Sequence, residues 1–216
     1  MILTLNNIAK IQNATIELNG ITVIAGENNT GKSTVGKILF CIFNSFYKIH
    51  EQIYRERKDN IESILDMAYR NATNRFTRRF DTGDIADVLL ENSDRFNGKI
   101  ELLKQEILSS LIQYDEYFEK YKDNIDLEEI SKKIHDILQV SDEIIFKSVL
   151  SKKFDSEFNG QINNIYFPNE TGTIELGIKE TNVKIVIDEN DITDIFNRFS
   201  LDTEVIYIDD PFVLDE

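Results

Sequence analysis

The chain has 216 residues, 41% of them hydrophobic, which is enough for a substantial core. Its net charge of −15 argues against sequence-independent nucleic-acid binding, because neutralising phosphates requires a dense basic face. The sequence holds neither a long apolar membrane span nor a signal-peptide pattern, so we expect a cytoplasmic protein with no membrane partner. A single cysteine, Cys41, excludes an internal disulfide and is expected in the core, and two distant histidines, His50 and His135, give no metal cluster.

The first 25 residues predict three strands. Residues 2–5 and 14–18 alternate apolar and polar positions, as half-buried strands do. Asn19-Gly20 is a strong turn signal, and the apolar run ITVIA at 21–25 that follows predicts a buried strand. We therefore expect a small antiparallel unit that leads into a buried strand.

The next apolar pattern, in KSTVGKILFCIFNSFYKIH, predicts a helix. It is apolar on nearly every side, so we expect it to be buried against a sheet. Its apolar positions are Val35, Ile38, Leu39, Ile42, Phe43 and Phe46.

The range 55–155 predicts a helical insertion, because charges are dense, proline is absent and helical periodicity dominates. Gly83 and Gly98 are the expected breaks, and Asp126 is the expected cap of a further helix. An apolar series at helical spacing indicates either one side of a helical hairpin or short coiled coil, or an amphipathic helix packed on its own domain. The series is Ile100, Leu103, Ile107, Leu111, Tyr114, Phe118 and Tyr121.

The last 60 residues again predict strands. Residues 173–178 and 183–187 alternate on either side of the turn KETN and are typical of a hairpin. The spacing in DITDIFNRF predicts a short helix over 191–199, and EVIYI predicts a strand over 204–208.

The stretch GENNTGKST matches the phosphate-binding pattern G-x-x-x-x-G-K-[ST] through Gly26, Gly31, Lys32 and Ser33. Glycines let the backbone N–H groups face phosphate oxygens, the lysine brings a cation to the β and γ phosphates, and the serine hydroxyl binds Mg²⁺. The predicted nucleotide-binding residues are Gly26, Glu27, Asn28, Asn29, Thr30, Gly31, Lys32, Ser33 and Thr34.

The segment LTLNNIAKIQNATIELNGITVIAGENNTGKSTVGKILF resembles the opening of ABC-type ATPase heads of the SMC, RecF and OLD-like group, over residues 1–47. The resemblance implies an α/β P-loop NTPase fold: an ABC-ATPase-like N-terminal lobe with an antiparallel β unit, formed by 1–54 and 156–216, and a helical insertion at 55–155. It implies ATP rather than GTP as ligand, with Mg²⁺, and gives Lys32 a catalytic role. It also implies a basic residue near the nucleotide, at Lys10, and a glutamine that senses the γ-phosphate. The candidates are Gln52, Gln105, Gln113, Gln139 and Gln161, which spacing does not separate.

Hydrolysis in that group needs further residues. The C-terminal VIYIDDPFVLDE resembles a Walker B strand, with Asp209 as a magnesium ligand and Asp210 as the catalytic base. Two features oppose this interpretation: acidic residues open the helix predicted before the strand, and no LSGG-like signature occurs. The alternative is a strand end followed by a turn. We therefore expect a composite site, completed by missing sequence, by a second copy or by a complementary ATPase half.

Three functions fit these features. The first is an ATPase whose head association acts on DNA or on a defence effector. The second is a module in which bound nucleotide switches an interaction without hydrolysis. The third is a small-molecule P-loop kinase, for which an arginine-rich stretch would supply a lid over the phosphates. The stretch is RFTRRF, with Arg75, Arg78 and Arg79. Together with Arg70 these residues are also the best candidate for a local basic patch, for which the alternative is a solvated helix face or a salt-bridge partner of the acidic remainder.

Overall fold

The computed structural model describes residues 1–74 and 82–208. It is an α/β structure with one five-stranded antiparallel sheet in the order β2-β1-β3-β4-β5. The strands are β1 Ile2–Ile8, β2 Ile11–Glu17, β3 Gly172–Ile178, β4 Thr181–Asp188 and β5 Asp191–Phe196. The helices are α1 Lys32–Phe46, α2 Ile49–Thr73, α3 Gly83–Glu91, α4 Ser93–Phe96, α5 Ile100–Tyr114, α6 Leu127–Gln139 and α7 Asp142–Phe158, with a 3₁₀ helix over Glu116–Asn124. Of the helices in these two ranges, none combines the length and apolar character that crossing a membrane requires.

The described residues form two compact units. The first combines Met1–Gln52 with the chain from Phe146 onward, and the second is Ile53–Ile145. The sheet and α1 belong to the first unit, whereas the second contains helices. The second unit ends before the predicted insertion boundary at 155, because the later part of α7 is buried within the first unit at Phe146, Leu150 and Phe154.

The predicted antiparallel unit and the predicted hairpin both form, each as a pair of adjacent antiparallel strands. In β1–β2, Leu3 pairs with Ile16 and Leu5 with Ala14, and the side chains of Leu3 and Leu5 are fully buried. In β3–β4 the pair Ile178 and Thr181 closes a two-residue turn, tighter than the four residues predicted. Alternation therefore identified both hairpins, because one face of each strand is buried.

Three predictions in the first unit are wrong. Residues 21–25 do not form a strand, and Ile21 and Val23 are 96% and 84% exposed. Residues 191–199 do not form a helix, because 191–196 is strand β5, paired with β4. Residues 204–208 are not a strand either. Extended apolar segments need strand neighbours, and the described sheet offers none to 21–25 or 204–208.

The second unit has its own apolar core. The helix predicted from Ile100 ends at Tyr114, and a 3₁₀ helix follows. Leu103, Ile107, Leu111 and Phe118 are buried in this core, as an amphipathic helix packed on its own domain requires. Helix α5 also packs against α6, so the alternative of one side of a helical hairpin is not excluded by this burial. Gly83 begins α3 and Gly98 precedes α5, as the predicted breaks require.

The cap of α6 is confirmed, because the Asp126 carboxylate accepts a hydrogen bond from the Glu129 N–H at 2.9 Å. We expect Asp126→Ala to lower the free energy of unfolding by about 1 kcal/mol, because one N–H of the first turn loses its acceptor. Urea unfolding followed by circular dichroism measures this. Asp123→Ala removes a nearby exposed carboxylate from the 3₁₀ helix and is the control. Equal destabilisation by both variants would contradict the capping role.

Cys41 is fully buried in α1, where its thiol lies 3.7 Å from the Lys153 carbonyl oxygen. Burial, with a smaller effect of the Glu157 carboxylate, raises the pKa of this thiol from 9.0 to about 12. Above pH 9 the unfolded chain releases the proton that the folded chain keeps, so stability should fall as pH rises from 9 towards 12. We expect Cys41→Ala to show a shallower decline over this range, measured by urea unfolding at several pH values.

At pH 8 a disulfide reagent should label Cys41 in urea but not in the folded protein, and rapid labelling without urea would contradict the burial.

Candidate functional site

The glycine-rich loop leads directly into α1. Gly31 is the N-cap residue of α1 with φ +94°, and Asn29 has φ +67°. Glycine adopts such angles without a Cβ clash, and asparagine is among the residues that tolerate them best. The Thr30 hydroxyl donates to the Glu27 carbonyl at 2.9 Å, which holds the middle of the loop in a curl.

Lys32 lies folded back into this loop. Its ammonium donates to the Gly26 carbonyl oxygen at 2.9 Å and also to the Glu27 carbonyl oxygen. Both acceptors are neutral, so they do not neutralise the charge of the amine. An anion that reaches the loop therefore offers Lys32 a stronger acceptor than it now has.

Six of the nine predicted nucleotide-binding residues line one open cleft of about 710 Å³. The other three support the loop: Gly26 and Glu27 accept from Lys32, and Thr30 donates to Glu27. The cleft also has a wall that sequence reasoning missed, from the end of α7 and the segment after it. The lining residues are Ala9, Lys10, Asn28, Asn29, Gly31, Lys32, Ser33, Thr34, Lys37, Glu157, Phe158, Asn159, Gln161 and Ile165.

The cleft is locally basic although the chain is strongly acidic. Lys10 donates to the Asn29 side-chain oxygen, and Lys37 donates to the Glu157 carbonyl oxygen at 3.0 Å. Lys32 also contacts neutral oxygens, so three ammonium groups line the cleft without a carboxylate partner in the part of the chain that the structure describes. Glu157 is the one acidic residue among the lining residues within those ranges. This arrangement suits an anion.

The Gln161 side chain is hydrogen-bonded to an asparagine, Asn190, in the β4–β5 turn. Its amide nitrogen donates to the Asn163 carbonyl oxygen at 3.1 Å and to the Asn190 side-chain oxygen at 3.2 Å. The predicted γ-phosphate-sensing glutamine had five candidates, and Gln161 is the one that lines the cleft. Its 29-residue separation from Asn190 explains why no local signal in the sequence distinguishes it.

Of the two predicted magnesium ligands, Ser33 is the one within the described residues, and it lies exposed in the cleft. A serine hydroxyl is a hard oxygen donor that suits Mg²⁺, although on its own it is not a site. Residues 1–74 and 82–208 contain no cluster of three or more histidine, cysteine or acidic residues that would hold a metal. Asp209 and Asp210 lie outside the described residues, so magnesium binding stays a prediction.

Two sequence arguments change. The objection to a Walker B strand relied on a helix opened by Asp191 and Asp194, but these residues belong to β5, so that objection no longer holds. The strand predicted over 204–208, on which the Walker B interpretation and its strand-end alternative both rely, is not formed either. Arg75, Arg78 and Arg79, the predicted kinase lid, lie outside the described residues. Arg70, in the last turn of α2, forms an ion pair with Asp66 at 3.2 Å, as the alternative of a salt-bridge partner predicts.

Comparisons with known proteins do not identify the chain. No family model, no curated protein and no solved structure matches it. A proposal of function therefore depends on the residues of the cleft and their chemistry.

The close contact between Gly31 and Ile11 gives a test of the loop. A Cβ at Gly31 would lie 2.8 Å from Ile11 Cγ1, whereas a Cβ at Gly20, which also has positive φ, would meet nothing within 4 Å. We expect Gly20→Ala to cost about 1 kcal/mol from backbone strain alone. Gly31→Ala should cost about 2–4 kcal/mol, because overpacking adds to the strain. Urea unfolding compares the two, and equal costs would contradict the packing of Ile11 under the loop.

Proposed function

We propose that this chain is the ATP-binding N-terminal portion of an ABC/SMC/OLD-like P-loop ATPase. The observation that supports this most directly is the convergence of Lys10, Lys32 and Lys37 with Ser33 and Thr34 in one cleft. In an acidic chain, an uncompensated basic cleft beside a glycine-rich loop favours a polyphosphate ligand. The resemblance of the first 47 residues to that group favours ATP.

Binding would exchange the contacts of Lys32. Its amine now donates to the Gly26 and Glu27 carbonyl oxygens, and phosphate oxygens would replace them as charged acceptors. Backbone N–H groups at the start of α1 would donate to the same phosphates, because the first N–H groups of a helix lack helical partners. Mg²⁺, held at Ser33, would supply charge neutralisation between the β and γ phosphates.

Uncovered apolar segments support a composite protein. Tyr207 packs on α1, since its ring lies 5.7 Å from the Phe40 ring and against Gly36. Its neighbours Ile206 and Ile208 are 84% and 62% exposed, and Ile21 and Val23 are exposed as well. A partner would remove this apolar surface from water. Strands from a complementary half would cover both segments, with DNA or a defence effector as the eventual target.

The alternative is a nucleotide-switched module without hydrolysis. It is favoured by the scarcity of carboxylates in the cleft. Hydrolysis needs carboxylates to hold magnesium and to activate water, and Glu157 is the one carboxylate in the described lining. Both functions require ATP binding. They differ in whether ATP is hydrolysed once the complementary ATPase half is present.

Binding of Mg-ATP by the whole chain, measured by isothermal titration calorimetry, tests the proposal. We expect Lys32→Ala to weaken binding by about tenfold or more, because a charged contact to phosphate is lost. Lys132→Ala, which removes an exposed lysine from α6, should leave affinity unchanged and controls for net charge. Failure of the unaltered chain to bind ATP, or equal binding by Lys32→Ala, would overturn the proposal.

Phosphate release gives a second measurement on the same proteins. We expect no turnover by the chain alone, because the signature motif is missing from its sequence. Turnover that Asp210→Asn abolishes would contradict the composite site and would favour the Walker B interpretation of Asp209 and Asp210.

A further inference from the structure

We infer that Gln161 selects adenine over guanine, by accepting a hydrogen bond from the 6-amino group of a base bound against Phe158 and Ile165. The inference rests on the proposed function, since it assigns the base end of the same cleft.

The lining residues of the cleft divide by chemistry into two groups. The glycine-rich loop supplies Lys32, Ser33 and Thr34, which suit phosphates. Phe158 and Ile165 belong to the other wall and are apolar, so they suit a base and not a phosphate. A nucleoside triphosphate has the same division between an anionic and a flat aromatic end.

Phe158 is a rigid part of this wall. Its ring stacks on that of Phe154, with centroids 5.8 Å apart and planes inclined by 13°. Phe154 is fully buried, so it holds its neighbour in place. A ring that is already packed on a buried neighbour loses less side-chain freedom when a base binds than an unpacked one would.

The orientation of the Gln161 amide follows from the hydrogen bonds behind it. The Asn190 side-chain oxygen accepts from the backbone N–H groups of Ile162 and Asn163, at 3.0 and 2.9 Å, so this atom is an oxygen and not the amide nitrogen. The Asn163 carbonyl is also an acceptor. The Gln161 nitrogen must therefore face both of them, which uses its two donor hydrogens.

The Gln161 Oε1 atom remains as an acceptor on a residue that lines the cleft. No donor in residues 1–74 or 82–208 contacts it. A phosphate oxygen at this position would be repelled, because both groups are acceptors, so Gln161 in this orientation does not fit the γ-phosphate-sensing role that the resemblance implies. Adenine presents its 6-amino donor on the corresponding edge, whereas guanine presents the O6 acceptor. The fixed acceptor therefore favours adenine and opposes guanine.

The test compares four ligands on the whole chain by calorimetry: ATP, GTP, tripolyphosphate and purine riboside triphosphate, which lacks the 6-amino group. We expect the unaltered chain to bind ATP about three- to tenfold more tightly than purine riboside triphosphate, the range for one hydrogen bond. GTP should bind more weakly than ATP by at least as much. Gln161→Ala should bind ATP and purine riboside triphosphate equally, and its affinity for tripolyphosphate should be unchanged.

Gln113→Ala, which removes an exposed glutamine from α5, is the control and should keep the ATP preference. Phe158→Ala should weaken ATP about tenfold while leaving tripolyphosphate unchanged, since stacking on a base is lost and phosphate contacts remain. If the unaltered chain binds ATP, GTP and purine riboside triphosphate equally, or if Gln161→Ala keeps the preference, the inference is overturned and the proposed function stands. If neither ATP nor tripolyphosphate binds the unaltered chain, the proposed function fails instead. The ligand comparison on the unaltered chain decides the matter even where a variant does not fold.

Discussion

The cleft depends on the hydrogen bonds of one side chain, Asn190, in the β4–β5 turn. Its side-chain oxygen accepts from the Gln161 amide and from the N–H groups of Ile162 and Asn163, and its own N–H donates to the Asn163 side chain at 2.7 Å. Asn163 is fully buried, so any of these groups left unpaired would cost a desolvation penalty. These hydrogen bonds tie the segment after α7, which has no regular secondary structure, to the β4–β5 turn.

The β1–β2 turn joins this segment to the glycine-rich loop. On one side, the Ile165 N–H donates to the Ala9 carbonyl at 2.9 Å and the Asn164 amide donates to the Ile11 carbonyl at 3.1 Å. On the other side, Lys10 contacts Asn29 and Ile11 lies under Gly31. The two walls of the cleft therefore share one short turn.

Elements that depend on residues close in sequence could be predicted from the sequence. Elements that depend on contacts with residues distant in sequence could not. Alternation identified the β1–β2 and β3–β4 hairpins, and the spacing of Asp126 identified a helix cap, because each depends on neighbours in the chain. Residues 191–199 have apolar positions at helical spacing, yet pairing with β4, with a bulge between Val186 and Ile187, gives strand β5 instead. The loop residues of the candidate site were predictable from their motif. Its second wall was not, because Gln161 becomes a lining residue through Asn190, far along the chain.

The exposed run 21–25 has a specific consequence for the proposed site. It enters the glycine-rich loop, whose other end is held by α1 and by the packing of Ile11 against Gly31. Among the described residues the entry side has no strand neighbour, so the loop is fixed firmly at one end. A complementary half that paired with 21–25 would fix the second end and so preorganise the loop for phosphate. By linkage, a partner that tightens nucleotide binding is itself bound more tightly, by the same factor, when nucleotide is present. A composite site of this kind would therefore be assembled by the ligand that it binds.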